Sequence, residues 1–169
     1  MPGRSVPDAE RLLEALIEKM RPAVGPETGL IGIHTGGAWV AERVQQALKP
    51  ATPLGRLDVS YYRDDYDRRG LHRDPQSSEI PFEVDGRDLI LVDDVLFTGR
   101  TIRAALIEVF DYGRPASVRL AVLIDRGGRQ LPIAAQFTGG AIELPASESI
   151  ELTREATGRL AFVLHEQEP

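Results

Sequence analysis

Apolar positions recur along this chain in two rhythms. From Asp8 to Met20, the residues Leu12, Leu13, Leu16, Ile17 and Met20 fall on one face at helical spacing, so the pattern predicts a helix. Pro22, Gly25 and Pro26 stop it. Leu30-Ile31-Gly32-Ile33 is a short buried strand, His34-Thr35-Gly36-Gly37 a turn, and Ala38 to Leu48 a second helix closed by Pro50 and Pro53. Leu57 to Arg63 alternates and reads as a strand. The polar segment from Asp64 to about Ile80 follows as a long loop, a feature that usually serves as a lid or arm. Phe82 and Val84 begin a return strand, with Asp85-Gly86 as a tight turn. Leu89 to Val92 is the central buried strand, and Thr101 to Tyr112 the next helix, with Gly113 as its C-terminal cap. Val118 to Ile124 and Leu160 to Leu164 are further strands; the stretch between them carries only short apolar runs.

Strands alternating with helices predict an α/β fold, a mostly parallel central sheet with helices on both faces. One domain, residues 1–169, is expected, without repeats. Ligands of such sheets bind beyond the carboxyl ends of the strands. The turns after Ile33, Val92 and Ile124 all fall at that edge.

Composition narrows the chemistry. Apolar residues make up 42% and charged residues 27%, values of a globular chain. No long uncharged apolar run predicts a membrane span, and the first residues lack the apolar core of a signal peptide. A cytoplasmic protein is the expectation. The chain has no cysteine, which excludes disulfides, thiolate nucleophiles and Cys-ligated metals. A formal net charge of −6 argues against strong non-specific nucleic-acid binding.

The densest signal is Asp93-Asp94-Val95-Leu96-Phe97-Thr98-Gly99-Arg100-Thr101, set between the central strand and the following helix. Backbone N–H groups of a Gly-containing loop at a helix start hold phosphate. Thr98 and Thr101 add hydroxyl donors. Two adjacent carboxylates just upstream can accept hydrogen bonds from neighbouring ribose hydroxyls. The order therefore suits a phosphorylated sugar. A strand end with an acid capping the next helix is the plainer alternative.

This stretch resembles the 5-phosphoribosyl-1-pyrophosphate (PRPP) motif of type I phosphoribosyltransferases. Three further blocks make the chain similar to the PyrR family, pyrimidine operon regulators with uracil phosphoribosyltransferase activity. These are Tyr62-Arg63-Asp64-Asp65, Gly113-Arg114-Pro115-Ala116-Ser117, and Leu120 through Asp125-Arg126-Gly127, continued by Arg129, Leu131, Pro132 and Ile133. The resemblance implies a type I phosphoribosyltransferase fold with a flexible loop and a small hood. It implies that uracil and PRPP give UMP and pyrophosphate, with Mg²⁺ carried on PRPP. A homo-oligomer, a dimer or larger, is expected on the same ground.

It also assigns roles. Asp93 and Asp94 would accept the ribose hydroxyls, with Asp94 near the ribosyl centre. Val95, Leu96, Phe97, Thr98, Gly99, Arg100 and Thr101 would form the PRPP and UMP loop. Thr35-Gly36-Gly37 would be the pyrophosphate loop; many family members carry Arg where Gly36 stands. Arg63 would reach the pyrophosphate, Asp65 would assist catalysis, and Asp64, Asp65 or Asp93 could touch the metal, although no cluster resembles an all-protein cage. The arm from Asp67 to Ile80 would close over the reaction, with Arg68, Arg69, His72 and Arg73 as weaker candidates. Ile124, Asp125 and Arg126 would lie at the uracil. His34 and Trp39 read more readily as turn and packing residues.

The family's second role is binding the messenger RNA of pyrimidine genes. Family members that do so use basic residues on the first helix and around the later blocks. Here that helix carries Asp8, Glu10, Glu14 and Glu18 against Arg11 and Lys19. Gly128 stands at a usual His, and Gly139-Gly140 at a Gly-Lys pair. An active enzyme without strong RNA binding is the expectation. The dual-function protein and a non-catalytic nucleotide sensor are the alternatives.

Overall fold

The computed structural model describes residues 4–59 and 78–167. Its core is a five-stranded parallel sheet formed by β1 (Gly29–Ile33), β2 (Gly55–Leu57), β3 (Asp88–Leu96), β4 (Ser117–Asp125) and β5 (Phe137–Ala141), in the order β2-β1-β3-β4-β5. A two-stranded antiparallel hairpin, β6 (Glu148–Arg154) and β7 (Leu160–Glu166), lies apart from it. Helices α1 (Ala9–Met20), α2 (Gly36–Leu48) and α3 (Arg100–Tyr112) complete the fold.

Helix α1 starts where Asp8 accepts hydrogen bonds from the Glu10 and Arg11 amides. This cap satisfies donors that the first turn would otherwise leave open. Leu13, Leu16 and Met20 are fully buried on one side of the sheet, together with Val40, Ala41 and Val44 of α2 and Ile150, Leu152, Leu160 and Phe162 of the hairpin. On the other side Ile102, Ala105 and Val109 of α3 pack with Ile31, Leu91, Leu120 and Val122. Both sheet faces are thus covered, which is why β1, β3 and β4 read as continuous apolar runs rather than alternating ones.

The expected sheet and its flanking helices are present, with differences. The central strand does not end at Val92 but runs on through both aspartates to Leu96, in register with β4 as far as Asp125. Helix α2 begins at Gly36, so the two glycines form its first turn rather than a preceding loop. Phe82 and Val84 form no strand: Val84 is buried and Phe82 packs beside it, and among the described residues the ladder contact near them is the isolated Arg56–Glu79 bridge. Here side-chain burial, not pairing, accounts for the apolar residues. Gly113 is the C-cap of α3, as expected, and sits at φ 158°, ψ −170°, a conformation that favours glycine. Strand β2 covers only Gly55–Leu57, and the remainder of the expected strand from Ser60 lies outside the described residues. Strands β5 and β6 were not anticipated.

In a doubly wound sheet, order 2-1-3-4-5 places the topological switch between β1 and β3. The loops leaving those two strands diverge there and open a crevice.

Candidate active site

The crevice is floored by the end of β3. In extended backbone, successive side chains point to opposite faces. Asp93 is 4% exposed, and its Oδ1 accepts a hydrogen bond from the Asp94 amide at 2.8 Å. Asp94 is half-buried, and its Oδ1 accepts from the Val95 amide at 2.8 Å. These bonds fix both carboxylates at the strand end, one recessed and one at the crevice.

The first turn of α2 is wedged against them. A Cβ on Gly36 would lie 2.2 Å from Asp94 Oδ2. One on Gly37 would lie 2.6 Å from the Val92 carbonyl oxygen and 2.9 Å from Asp93 Cα. Only glycine allows this approach. A side chain at position 36 would compete with the Asp94 carboxylate for the same space. Thr35 precedes the helix, exposed, and the His34–Thr35 peptide is cis.

The second wall is the β3–α3 turn. Gly99 adopts φ 94°, ψ −3°, the left-handed geometry that lets the chain turn sharply into α3. It supplies no side-chain cap; Thr98 Oγ1 accepts from the Arg100 amide at 3.2 Å. The first turn of α3 therefore presents backbone N–H groups and the positive end of the helix dipole, a ready anion site. Thr101 is half-buried beside it. Arg100 does not simply extend into solvent; its Nε donates to Gln130 Oε1 at 2.9 Å.

The third wall follows β4. Ile124 and Leu96 are buried in the core, so only their backbones can face a ligand. Asp125 Oδ2 pairs with Arg129 at 2.6 Å, and its Oδ1 accepts from the Gly127 amide at 2.9 Å. Arg129 further donates to the Phe97 carbonyl at 2.6 Å and to the Ile133 carbonyl at 2.9 Å. The Thr98 carbonyl accepts from the Gln130 and Leu131 amides. This loop is thereby laced to the β3–α3 turn, so two sequence-distant walls form one rigid unit. The Arg126 guanidinium lies over the Phe97 ring, 3.9 Å from its centroid. Burial pulls Arg126 below the usual arginine range, partly countered by the charge of Glu148. Asp125, Arg126, Gly127, Ala141, Ile142 and Glu143 line a cavity of about 320 Å³ at the ends of β4 and β5.

A larger cleft of about 650 Å³ lies elsewhere, between α1, α2 and the β6–β7 turn. Its Arg43 and Arg154 are paired with Glu10 and Glu42. Trp39 lines it beneath Arg154, at 4.9 Å, as a packing residue away from the crevice. His34 is tied to β2 through its amide, 2.8 Å from the Leu57 carbonyl.

The structure thus brings together Thr35, Gly36, Gly37, Asp93, Asp94, Thr98, Gly99, Arg100 and Thr101. Arg63, Asp64 and Asp65, and the arm residues Arg68, Arg69, His72 and Arg73, lie outside the described residues. Arg129 and Gln130 emerge as the ties of the crevice. Their sequence block marks Arg129, but no local pattern announces contacts to a turn some thirty positions earlier.

Comparison with known proteins decides the family. Residues 4–150 match the phosphoribosyl transferase domain. The bifunctional protein PyrR of Nitrosococcus oceani is 51% identical over 144 residues, covering 84% of this chain and 81% of that protein. The chain belongs to the PyrR family of phosphoribosyltransferases. A second PyrR protein, from Pseudomonas paraeruginosa, is 49% identical over 157 residues, 90% of this chain and 92% of its own. Solved phosphoribosyltransferases share the fold. A hypoxanthine-guanine phosphoribosyltransferase from Bacillus anthracis superposes with a TM-score of 0.60 at 19% identity, covering 82% of this chain and 84% of that one. A purine phosphoribosyltransferase from Pyrococcus horikoshii gives 0.59 at 26% identity, covering 79% and 82%. Among the described residues, no helix is long and apolar enough to cross a membrane.

Proposed function

We propose that this PyrR-family chain transfers the phosphoribosyl group of PRPP to uracil, giving UMP and pyrophosphate. The observation that carries the reading is the wedge of Gly36 and Gly37 against Asp93 and Asp94, beside the start of α3, whose N-cap is the side-chain-free Gly99. The start of α3, with Thr98 and Thr101, receives the 5′-phosphate. Asp93 and Asp94 accept the ribose hydroxyls. The first turn of α2 offers backbone N–H groups to the pyrophosphate. Uracil sits toward the cavity beyond β4, near Asp125 and Arg126.

In the reaction, uracil N1 forms the bond to the ribosyl carbon as the bond to pyrophosphate breaks. The electron pair leaves with pyrophosphate, and the N1 proton passes to that leaving group or to water. No protein nucleophile is required. The chain's work is to align the two reactants and to place Asp94 where positive charge grows on the ribose.

Among the described residues no group of three acidic or histidine side chains could cage a metal. The donor set does fit Mg²⁺ delivered with PRPP, since that ion keeps several waters and needs one or two carboxylates besides the phosphates. Asp93 or Asp94 would supply the protein's share, and the ion would neutralise pyrophosphate charge.

A panel of uracil, hypoxanthine, guanine and orotate, each with PRPP and Mg²⁺, tests the proposal. Nucleotide formation with uracil at least tenfold above the others supports it. Preference for a purine base, or no product with any base, refutes it.

The name of the relatives, bifunctional, raises a second role, and RNA of the pyrimidine genes is the family's partner. The surface does not favour strong binding. Glu14 and Glu18 are exposed on α1, Lys19 is turned to the Thr138 carbonyl, and Gly140 packs against Leu12 with no basic side chain to offer. An acidic face repels phosphate. A UMP-dependent gel shift with the host's own leader RNA decides the point; a nanomolar shift at physiological salt would establish the dual role. Homo-oligomerisation, expected from the resemblance, is checked by light scattering.

A further inference from the structure

The β6–β7 turn sets two arginines beside one cleft. Arg154 pairs with Leu160 across the hairpin, and Arg159 directly precedes that partner. The turn between them is fixed. The Glu155 amide donates to the Arg159 carbonyl at 2.9 Å, and the Gly158 amide to the Glu155 carbonyl at 2.8 Å. Both arginines line the cleft of about 650 Å³ between α1, α2 and this turn, and no residue of the crevice does. Trp39 forms another wall; it packs against the core and carries the Arg154 guanidinium over its ring, 4.9 Å from the centroid.

Positive charge around this cleft exceeds its partners. Arg43 is matched by Glu10, bonded to both carboxylate oxygens at 3.0 and 3.2 Å. Glu42 serves two guanidiniums. Arg56 holds it at 3.2 Å, while Arg154 stays at 3.7 Å, beyond hydrogen-bond reach. Among the described residues the Arg159 side chain makes no hydrogen bond or ion pair. Two carboxylates thus face four arginines, in a chain whose net charge is −6.

An excess of two guanidiniums complements a dianion, and a phosphomonoester carries about −1.5 to −2 at neutral pH. A bare phosphate would leave most of the cleft empty, since its volume falls among small-molecule sites, roughly 300–1,000 Å³. Arg154 has one face on Trp39 and its side chain is 43% exposed, so its outer face is open to a flat ring. We propose that this cleft is a second ligand site, separate from the crevice, for a phosphomonoester with a ring-bearing body. The phosphate lies between Arg154 and Arg159, and the body lies along Arg154 and Trp39. A nucleoside monophosphate and a sugar phosphate share this chemistry.

The chain has one tryptophan, so its fluorescence reports on this cleft. The full-length protein is titrated with AMP, ribose 5-phosphate, inorganic phosphate and adenosine, with calorimetry alongside. AMP or ribose 5-phosphate should give a saturable change in Trp39 emission, and the tighter of the two identifies the source of the phosphate. Inorganic phosphate should bind more weakly, and adenosine, which lacks the dianion, at least about tenfold more weakly. Arg159→Met should raise Kd about tenfold to a hundredfold, while Arg159→Lys keeps most of the affinity. Arg159 contacts no other side chain among the described residues, so the circular dichroism spectrum and Tm should not move. Added Mg²⁺ and pyrophosphate should not displace the ligand.

Binding heat without a fluorescence change supports the site if Arg159→Met abolishes it, and overturns it if that variant leaves it intact. No binding of either phosphomonoester at millimolar concentration overturns the proposal. So does adenosine binding as tightly as AMP, a Kd unchanged in Arg159→Met, or competitive displacement by pyrophosphate, which would place the ligand in the crevice. None of these outcomes bears on phosphoribosyl transfer, which the base panel tests separately.

Discussion

Gly37→Ala isolates the geometry on which the site depends. The new Cβ would lie 2.6 Å from the Val92 carbonyl oxygen, 2.9 Å from Asp93 Cα and 3.0 Å from Asp93 Oδ1. Two of these neighbours are backbone of the central strand, which is hydrogen-bonded on both edges and cannot yield. Helix α2 must instead retreat until the contact reaches an ordinary 3.4 Å, a shift of about 0.8 Å. Overpacking of this kind costs about 1–3 kcal/mol, offset by about 0.5–1 kcal/mol from the better helix propensity of alanine. A net loss of about 1–2 kcal/mol lowers Tm by roughly 2–8 °C for a chain of this size. The effect on catalysis should be larger. The same retreat separates the first turn of α2, the proposed pyrophosphate site, from Asp93 and Asp94, and a misplacement near 1 Å costs about 10²-fold. That is about 2.7 kcal/mol of transition-state stabilisation, at temperatures where the variant remains folded. The assay is initial-rate UMP formation with PRPP varied, alongside thermal unfolding. Gly25→Ala is the control, because its Cβ meets nothing nearer than Thr28 Oγ1 at 3.8 Å. A Gly37→Ala protein with kcat/KM for PRPP within threefold of wild type would refute the reasoning.

Other substitutions probe separate parts of the argument. Asp94→Asn keeps the shape of the strand end but removes the charge proposed to face the ribose; kcat should fall by about 10²-fold or more with Tm nearly unchanged, measured by the same two assays. Arg129→Met cuts the links to Asp125, Phe97 and Ile133, and should cost about 2–3 kcal/mol in urea denaturation while raising KM for uracil. Leu16→Ala opens a cavity under α1, where Leu16 is 0% exposed, and should cost about 2–5 kcal/mol in the same denaturation with kcat retained at low temperature.

The strand–turn–helix frame of the candidate site was legible in the sequence because its main signals are local. The apolar run Leu89–Val92, the acids after it and the Thr98-Gly99 turn form one continuous segment, and the strand–turn–helix order follows from burial period and backbone freedom alone. Strand β3 outlasts its apolar run because Asp93 and Asp94 satisfy local amides, so polar side chains could stay in extended backbone. Strand β5 was hidden for a different reason. Phe137-Thr138-Gly139-Gly140-Ala141 has poor strand propensity, yet α1 lies so close that a Cβ at Gly139 would come within 2.6 Å of the Leu12 carbonyl. A tertiary contact chose glycine there and erased the local signal. Strand β6 did carry one, with Ile150 and Leu152 buried about an exposed Glu151, but the run is too short to stand out among proline and glycine.

The walls of the crevice differ in kind from these elements. Burial leaves a period in the sequence, because every buried turn or strand repeats the same demand on residue type. A single tie between loops does not repeat. Arg129 reaches the Phe97 carbonyl across 32 positions, and Arg126 stacks on the same residue's ring. Neither contact constrains its neighbours in the chain, so neither produces a pattern. It follows that scaffold and chemistry have different tolerances. Exchanging one core aliphatic for another preserves the period and should preserve the fold. Exchanging Arg129 for any residue that cannot bond two carbonyls and a carboxylate at once leaves the period intact, yet frees the base-side wall from the phosphate-side wall. On the proposed reading, the alignment of uracil with the ribosyl carbon is then lost before the fold is.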